Sequence, residues 1–404
     1  MKLHHFTILG ALIFLGSCGQ KSQLILTNSG DHAVYGKQIV VDKSKLSGFP
    51  AEYFKLLRGG SEIPVQFDDL DKDGQWDEVA FKMDFAPAEK VVLVLSPTHE
   101  VPEYDQLTNV YLGVSPDRNG EFGEVQMASR PESHVAQSTP YLYQYEGPGW
   151  ESELVGFRSY FDSRNGKDIF GKVMPQLYIH QIGLGENYHE LADWGMDVLK
   201  VGNSLGAGAL AMLRSDSLYR LGDTQTATFR AITEGPVRAM LELQYTGWDV
   251  AGVRYDVAEK ISIWAGKRHY TSTIALDGGG VADTLVTGIV DLKKVEKTVF
   301  SMADYQAIFT FGEQSENYDN LGMGLLISNS NWNGFGTAPE AGDGVANTYT
   351  AYLKPDNGLY QYHFFAGWEL ENREFASSDK FREALEQEVI GLSTPVDIQF
   401  QIKK

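Results

Sequence analysis

One cysteine in 404 residues leaves no room for a disulfide framework. Positive charge is also scarce: 34 Lys+Arg stand against 54 Asp+Glu, a formal charge of -20. That balance argues against nucleic acid and against unspecific binding to anionic membranes, because both draw on a basic surface. It does not exclude an anionic substrate, which a few gathered cations can hold. Beyond the N-terminal segment there is no apolar run of membrane-spanning length. A composition that is 43% hydrophobic and 12% aromatic excludes wholesale disorder.

The lone cysteine has an informative setting. Lys2 gives a short basic start, Phe6 to Phe14 is mostly apolar and too short to span a bilayer, and Leu15-Gly16-Ser17-Cys18 follows. This resembles a bacterial lipobox. The resemblance implies a signal peptide over 1–17, lipidation at Cys18 and a polar tether over 18–23. The expected location is outside the cytoplasm, periplasm-facing or on the cell surface, with the N-terminal lipid anchor as the sole membrane contact.

The remainder reads as mainly β. Val91 to Leu95 is an apolar run, and Pro97 to Pro102 reads as a linker. Residues 24–100 are therefore expected to form a small β-sandwich-like module. Over 101–404, apolar Leu241, Leu243 and Tyr245 alternate with polar neighbours, as do Val396, Ile398, Phe400 and Ile402. So many strands in about 300 residues suggest a large two-sheet sandwich. The main helix expected is 379–390, with Ser378 as its cap and Phe381, Leu385 and Val389 on one face.

Asp69-Leu70-Asp71-Lys72-Asp73-Gly74-Gln75-Trp76-Asp77 has the oxygen spacing of a calcium loop, with Gly where the chain turns sharply. Asp69, Asp71, Asp73 and Asp77 are the candidate ligands of a structural calcium. The bidentate Glu expected at the twelfth position is replaced by Ala80. An acidic, solvated hairpin is the alternative. No other cofactor is suggested.

Residues 147–208 carry most of the usable chemistry. If 156–164 is a strand, Arg158, Tyr160, Asp162 and Arg164 share a face too polar for ordinary core. That face meets solvent or a wet cleft. Further on, Tyr188, His189, Asp193, Trp194, Asp197 and Lys200 precede a Gly-rich stretch. The stretch lacks the spacing of a phosphate cradle. No second His lies four residues from His189, and no G-x-S-x-G elbow is present.

The strings GPGWESELVGFRSYFDSRNGKDIFGK and NYHELADWGMDVLKVGNSLGAGAL resemble a family first catalogued without a function, DUF4861. EGPVRAMLELQYTGW fits the same pattern. The family is largely one of Bacteroidetes-type lipoproteins linked to polysaccharide use. One branch is similar to a dehydratase of ulvan oligosaccharides. The resemblance implies a large β-supersandwich, galactose mutarotase-like, and an acidic oligosaccharide as substrate.

Loss of water from a terminal uronic acid removes the C5 proton and expels the C4 hydroxyl. An Arg suits the carboxylate that gathers charge: Arg158 or Arg164, with Lys200 as the alternative. His189 is the first choice of base, because an imidazole titrates near neutrality. Tyr160 or Tyr188 could protonate the leaving hydroxyl. Trp150, Trp194 and Trp368 are candidate sugar platforms, and Asp193 and Asp197 candidate props for His189 or Lys200. Two other readings stand beside this one. A glycoside hydrolase would draw two acids from Glu151, Asp162, Asp193 and Asp197. A non-catalytic glycan-binding lipoprotein would use the same aromatics.

Overall fold

The computed structural model describes residues 21–130, 141–279, 283–342 and 344–403. Cys18, the expected signal peptide and the first half of the tether lie outside them. Among the described residues there is one α-helix, and the fold is mainly β, as expected. No helix among them is long and apolar enough to cross a membrane.

The N-terminal module is a two-layer β-sandwich. One sheet runs in the order Val396–Lys403, Lys21–Asn28, Lys90–Thr98, Tyr53–Arg58, Ser61–Ile63. The other runs in the order Val34–Asp42, Glu78–Phe85, Val65–Asp68, with Glu78–Phe85 at its centre. Strand alternation explains the core. Val91, Leu93 and Leu95 point inward with Leu24, Leu26, Phe54 and Phe81, while Val92 faces out.

Three boundaries differ from expectation. Lys21, Ser22 and Gln23 belong to the first strand rather than to the tether. The strand from Lys90 runs through Pro97 to Thr98, and Pro97 sits near its end, where a missing N–H costs least. The last strand, Val396–Lys403, pairs antiparallel with Lys21–Asn28, with Leu24 opposite Phe400. The chain's end therefore completes the module rather than the large sandwich.

The large sandwich sets a nine-stranded sheet against two five-stranded sheets. The first of these runs Gly195–Asp197, Lys167–Lys172, Val155–Ser159, Gly149–Ser152, Thr108–Tyr111, and it carries the site described below. Leu241, Leu243 and Tyr245 point into the layer between the sheets as their alternation predicts. An aromatic column crosses that layer: Tyr270 meets Phe157 at 5.0 Å, Trp150 at 5.3 Å and Phe364 at 5.8 Å between centroids. A buried ion pair, Lys167 with Glu259, sits beside it and is joined by the Tyr362 hydroxyl.

The helix, α1, spans Ser378–Ser393, and Ser377 rather than Ser378 caps it, accepting the Lys380 N–H. Phe381, Leu385 and Val389 are its buried stripe. Phe381 lies directly on Gly322 of the nine-stranded sheet, where any Cβ would collide with its ring.

Candidate active site

Alternation within the first five-stranded sheet creates the site. Phe157 and Ile169 point into the sandwich, so Arg158, Asp168 and Phe170 point to the opposite face. Arg158 stands directly across from Asp168 in the ladder, and Phe170 across from Asp197. The strand expected to reach residue 164 ends at Ser159. Tyr160, Asp162 and Arg164 lie in the turn that follows, so they are not a single strand face.

A long connection over 173–194 covers this outer face. Glu151, fully buried, fixes its start by accepting the Tyr178 N–H at 2.9 Å and the Ile179 N–H at 3.1 Å, with Lys172 Nζ at 2.5 Å as its counter-ion. Gln144 Nε2 donates to the Ile182 carbonyl at 2.7 Å. The rings of Tyr178 and Trp194 stack at 5.0 Å. The far end of this connection brings Tyr188 and His189 to the rim of a cavity of about 800 Å3.

Arg158, Tyr160, Arg164, Tyr188, His189, Asp197 and Lys200 all line that one cavity. At its base Arg158 is 1% exposed. Its Nε and Nη2 donate to Asp168 Oδ2 at 3.2 and 2.7 Å, and Nη2 donates to Asp197 Oδ2 at 2.8 Å. Nη1 donates to the Tyr145 carbonyl at 3.1 Å and the Tyr188 hydroxyl at 3.3 Å. The guanidinium donors are thus directed at the protein itself. The expected role of Arg158 as a clamp on a substrate carboxylate is corrected: it organises the site from below.

Two buried acids share this one cation. Burial, then the Asp197 charge, pushes the Asp168 carboxyl up to about 7. Tyr160 donates to Asp168 Oδ2 at 2.7 Å, which engages its proton. Tyr188 accepts from Arg158, and burial holds its phenol above the usual value, so it is protonated at neutral pH. His189 is exposed over 60% of its side chain, and its Nδ1 lies 3.3 Å from Asp197 Oδ2. That hydrogen bond raises the imidazole above its ordinary value. Arg164 is pinned by Asp162 at 2.6 Å and by Glu146 at 2.8 Å, over the Tyr160 ring. Lys200 is exposed and forms no ion pair or hydrogen bond among the described residues.

Several expected residues fall elsewhere. Trp150 is fully buried in the aromatic column, Trp194 is packed under Tyr178, and Trp368 is buried with its indole N–H on Asp319 at 2.6 Å. None is a sugar platform: the layer between the sheets buries Trp150 and Trp368, and the 173–194 connection buries Trp194 on the outer face. Asp193 is exposed outside the cavity and props neither His189 nor Lys200. His180 is exposed outside it as well. His269 and His363 are buried near the module, and burial pushes both down to about 3.

The cavity also includes residues that the sequence did not single out. Glu146 and Glu316 supply carboxylates, and Tyr141, Tyr143, Tyr145 and Phe122 supply rings. Tyr145 and Glu146 both take left-handed backbone conformations, φ 36° and 76°. Such a turn is costly for non-glycine residues and has no sequence signature. Asp168, immediately after Lys167 in the ladder partner of Arg158, was readable as a companion only once the strand pairing is known.

In the acidic loop, carboxylate oxygens of Asp69, Asp71 and Asp77 lie within 4.8 Å of one another. Asp73, the fourth expected ligand, is not part of this group; like the other three it accepts a backbone N–H, from Gln75 at 2.8 Å. Glu78 is taken by Arg238.

The family model described as "Domain of unknown function (DUF4861)" matches residues 26–398. The chain belongs to the DUF4861 family. A relative called "Uncharacterized protein P7", from Formosa agariphila, is 22% identical over 437 residues, with 98% of each chain covered. Among solved structures, an alpha-mannosidase from Enterococcus faecalis V583 matches with a TM-score of 0.50 at 8% identity, covering 95% of this chain and 46% of that one. A glycosyl hydrolase family 38 protein from Enterococcus faecalis has a TM-score of 0.47 at 9% identity, covering 95% and 48%. The DUF4861 chain thus spans about half the length of these two proteins. The mannosidase likeness is one of fold.

Proposed function

We propose that this DUF4861 protein is a carbohydrate-active lyase, a dehydratase that eliminates water from the non-reducing-end uronic acid of acidic oligosaccharides of the ulvan type. The observation that carries the reading is the convergence of His189, Tyr188 and Lys200 on one cavity, with Asp197 behind the imidazole. His189, its Nδ1 side held by Asp197, takes the C5 proton through Nε2. The electron pair forms the C4–C5 double bond as the C4–O bond breaks. Tyr188 gives its proton to the departing hydroxyl, which leaves as water. Tyr188 suits this step better than Tyr160, whose proton is engaged by Asp168. Lys200, with Arg164 beside it, balances the charge that builds on the uronate.

The hydrolase reading is less well supported. Of its four expected acids only Asp197 lines the cavity, and Arg158 and His189 already engage it. The glycan-binding reading loses its three tryptophan platforms. The deciding experiment incubates the protein with uronate-terminated oligosaccharides. An ultraviolet absorbance from an unsaturated uronate, with no new reducing ends, is expected. New reducing ends without that absorbance would replace elimination by hydrolysis, and binding without turnover would leave a glycan-binding protein.

We also propose a structural calcium at Asp69, Asp71 and Asp77, and a membrane-anchored lipoprotein attached through Cys18 outside the cytoplasm.

A further inference from the structure

A second cavity, of about 230 Å3, lies where three parts of the fold meet. Gly36, Lys37 and Gln38 come from the N-terminal module, Lys267, Tyr305, Gln361 and His363 belong to the nine-stranded sheet or its connections, and Gly391 and Leu392 end α1. In a chain of charge -20, two lysines line this cavity and no acid does. We propose that it is a binding site for a small tetrahedral oxyanion, sulfate or phosphate, held between Lys37 and Lys267.

The hydrogen-bond inventory leaves donors for such a ligand. Lys37 Nζ gives one hydrogen to the Gly391 carbonyl at 2.7 Å, and an ammonium carries three. Lys267 Nζ spends two on the oxygens of Glu388, each at 3.0 Å, and keeps one. Gln38 Nε2 is buried without a partner. Such a group costs free energy until something accepts from it. The histidines add no charge, since burial holds His363 and its neighbour His269 neutral. Glu388 is the counter-charge nearby, and Lys267 already uses it. Burial, then the Lys267 charge, pulls Lys37 down to about 8, so the two ammoniums feel each other. An oxyanion between them would relieve that repulsion and tie the module to the large sandwich and α1. The volume admits a tetrahedral ion with a few waters.

Isothermal titration of the full chain with sulfate, and separately phosphate, at ionic strength matched with chloride, tests this. Saturable one-to-one binding is expected in the wild type and in Lys200→Gln, which alters only the large cleft. Lys37→Met is expected to bind at least about tenfold more weakly. Absence of saturable binding in the wild type overturns the proposal. So does its loss in Lys200→Gln with retention in Lys37→Met, which puts the ion in the cleft. If Lys37→Met does not fold, anomalous scattering from selenate in wild-type crystals decides: a peak between Lys37 and Lys267 supports the site, and none there overturns it.

Discussion

His189 Nδ1 lies 3.3 Å from Asp197 Oδ2, the same oxygen that accepts Arg158 Nη2 at 2.8 Å. An exposed imidazole is thereby fixed to a buried charge cluster, which sets its tautomer and leaves Nε2 for a substrate. His189→Ala is expected to cut the elimination rate by about 10²–10⁴-fold, the usual worth of a positioned base. The melting temperature should hardly move, because most of the side chain is in water. Near-normal turnover in that variant would place the base elsewhere.

The pH dependence follows from the same pair. The Asp197 hydrogen bond raises the imidazole above its ordinary value. A base must be neutral to accept a proton, so the active fraction is small in acid and grows as pH rises through the raised value. The acid limb of kcat/KM should therefore have its midpoint above 6.5, the ordinary histidine value. Asp197→Asn should slide the limb toward lower pH while lowering its plateau. An acid limb that keeps its midpoint in Asp197→Asn would show that this pair does not govern the rate.

Arg158 makes a contrasting prediction about stability. It is the cation that both buried acids, Asp168 and Asp197, touch. Arg158→Met would leave Asp168 and Asp197 facing each other without the guanidinium that both touch. Loss of one member of a buried ion cluster costs about 3–5 kcal/mol, read as a lower urea midpoint. Arg158→Lys should recover little, since an ammonium cannot reproduce the fork that reaches both acids and the Tyr145 carbonyl. An unchanged midpoint in Arg158→Met would mean that the cluster is dispensable for folding.

The acidic loop is testable apart from the cleft. Three carboxylates this close repel one another, and a hard cation would offset that. Calcium is expected to raise the melting temperature of the wild type, and Asp71→Asn to abolish the rise without touching turnover. An equal rise in both proteins would locate any calcium effect elsewhere.

The sequence revealed the fold's periodicities better than its contacts. Leu241, Leu243 and Tyr245, and the Phe381, Leu385, Val389 stripe, were legible because burial follows a fixed repeat. The partner of Val396–Lys403 was not, because its half-buried alternation fits either sandwich and pairing is non-local. The cluster of Arg158, Tyr160, His189 and Lys200 in one cavity followed from a concentration of polar residues. Their roles did not. Whether Arg158 faces a substrate or two acids depends on Asp168, ten residues on and directly across the ladder. The tryptophans misled for a related reason. Residue type alone does not separate a platform from a core ring, and Trp150 is decided by Phe157 and Tyr270 around it.

In the proposed elimination Arg158 is spent on the protein, so the uronate carboxylate is assigned to Lys200, helped by Arg164. Arg164 is already paired with Asp162 and Glu146, so Lys200 carries most of the uncompensated charge. Lys200→Ala should leave the unfolding free energy within about 0.5 kcal/mol, as exposed substitutions do, while kcat/KM on a uronate-terminated oligosaccharide falls by about tenfold or more. The decisive comparison uses the same oligosaccharide with its terminal carboxylate methyl-esterified. Lys200→Ala should then cost little further, because the charge it answers is already gone. A penalty of equal size on the acid and the ester would show that Lys200 acts on another part of the substrate.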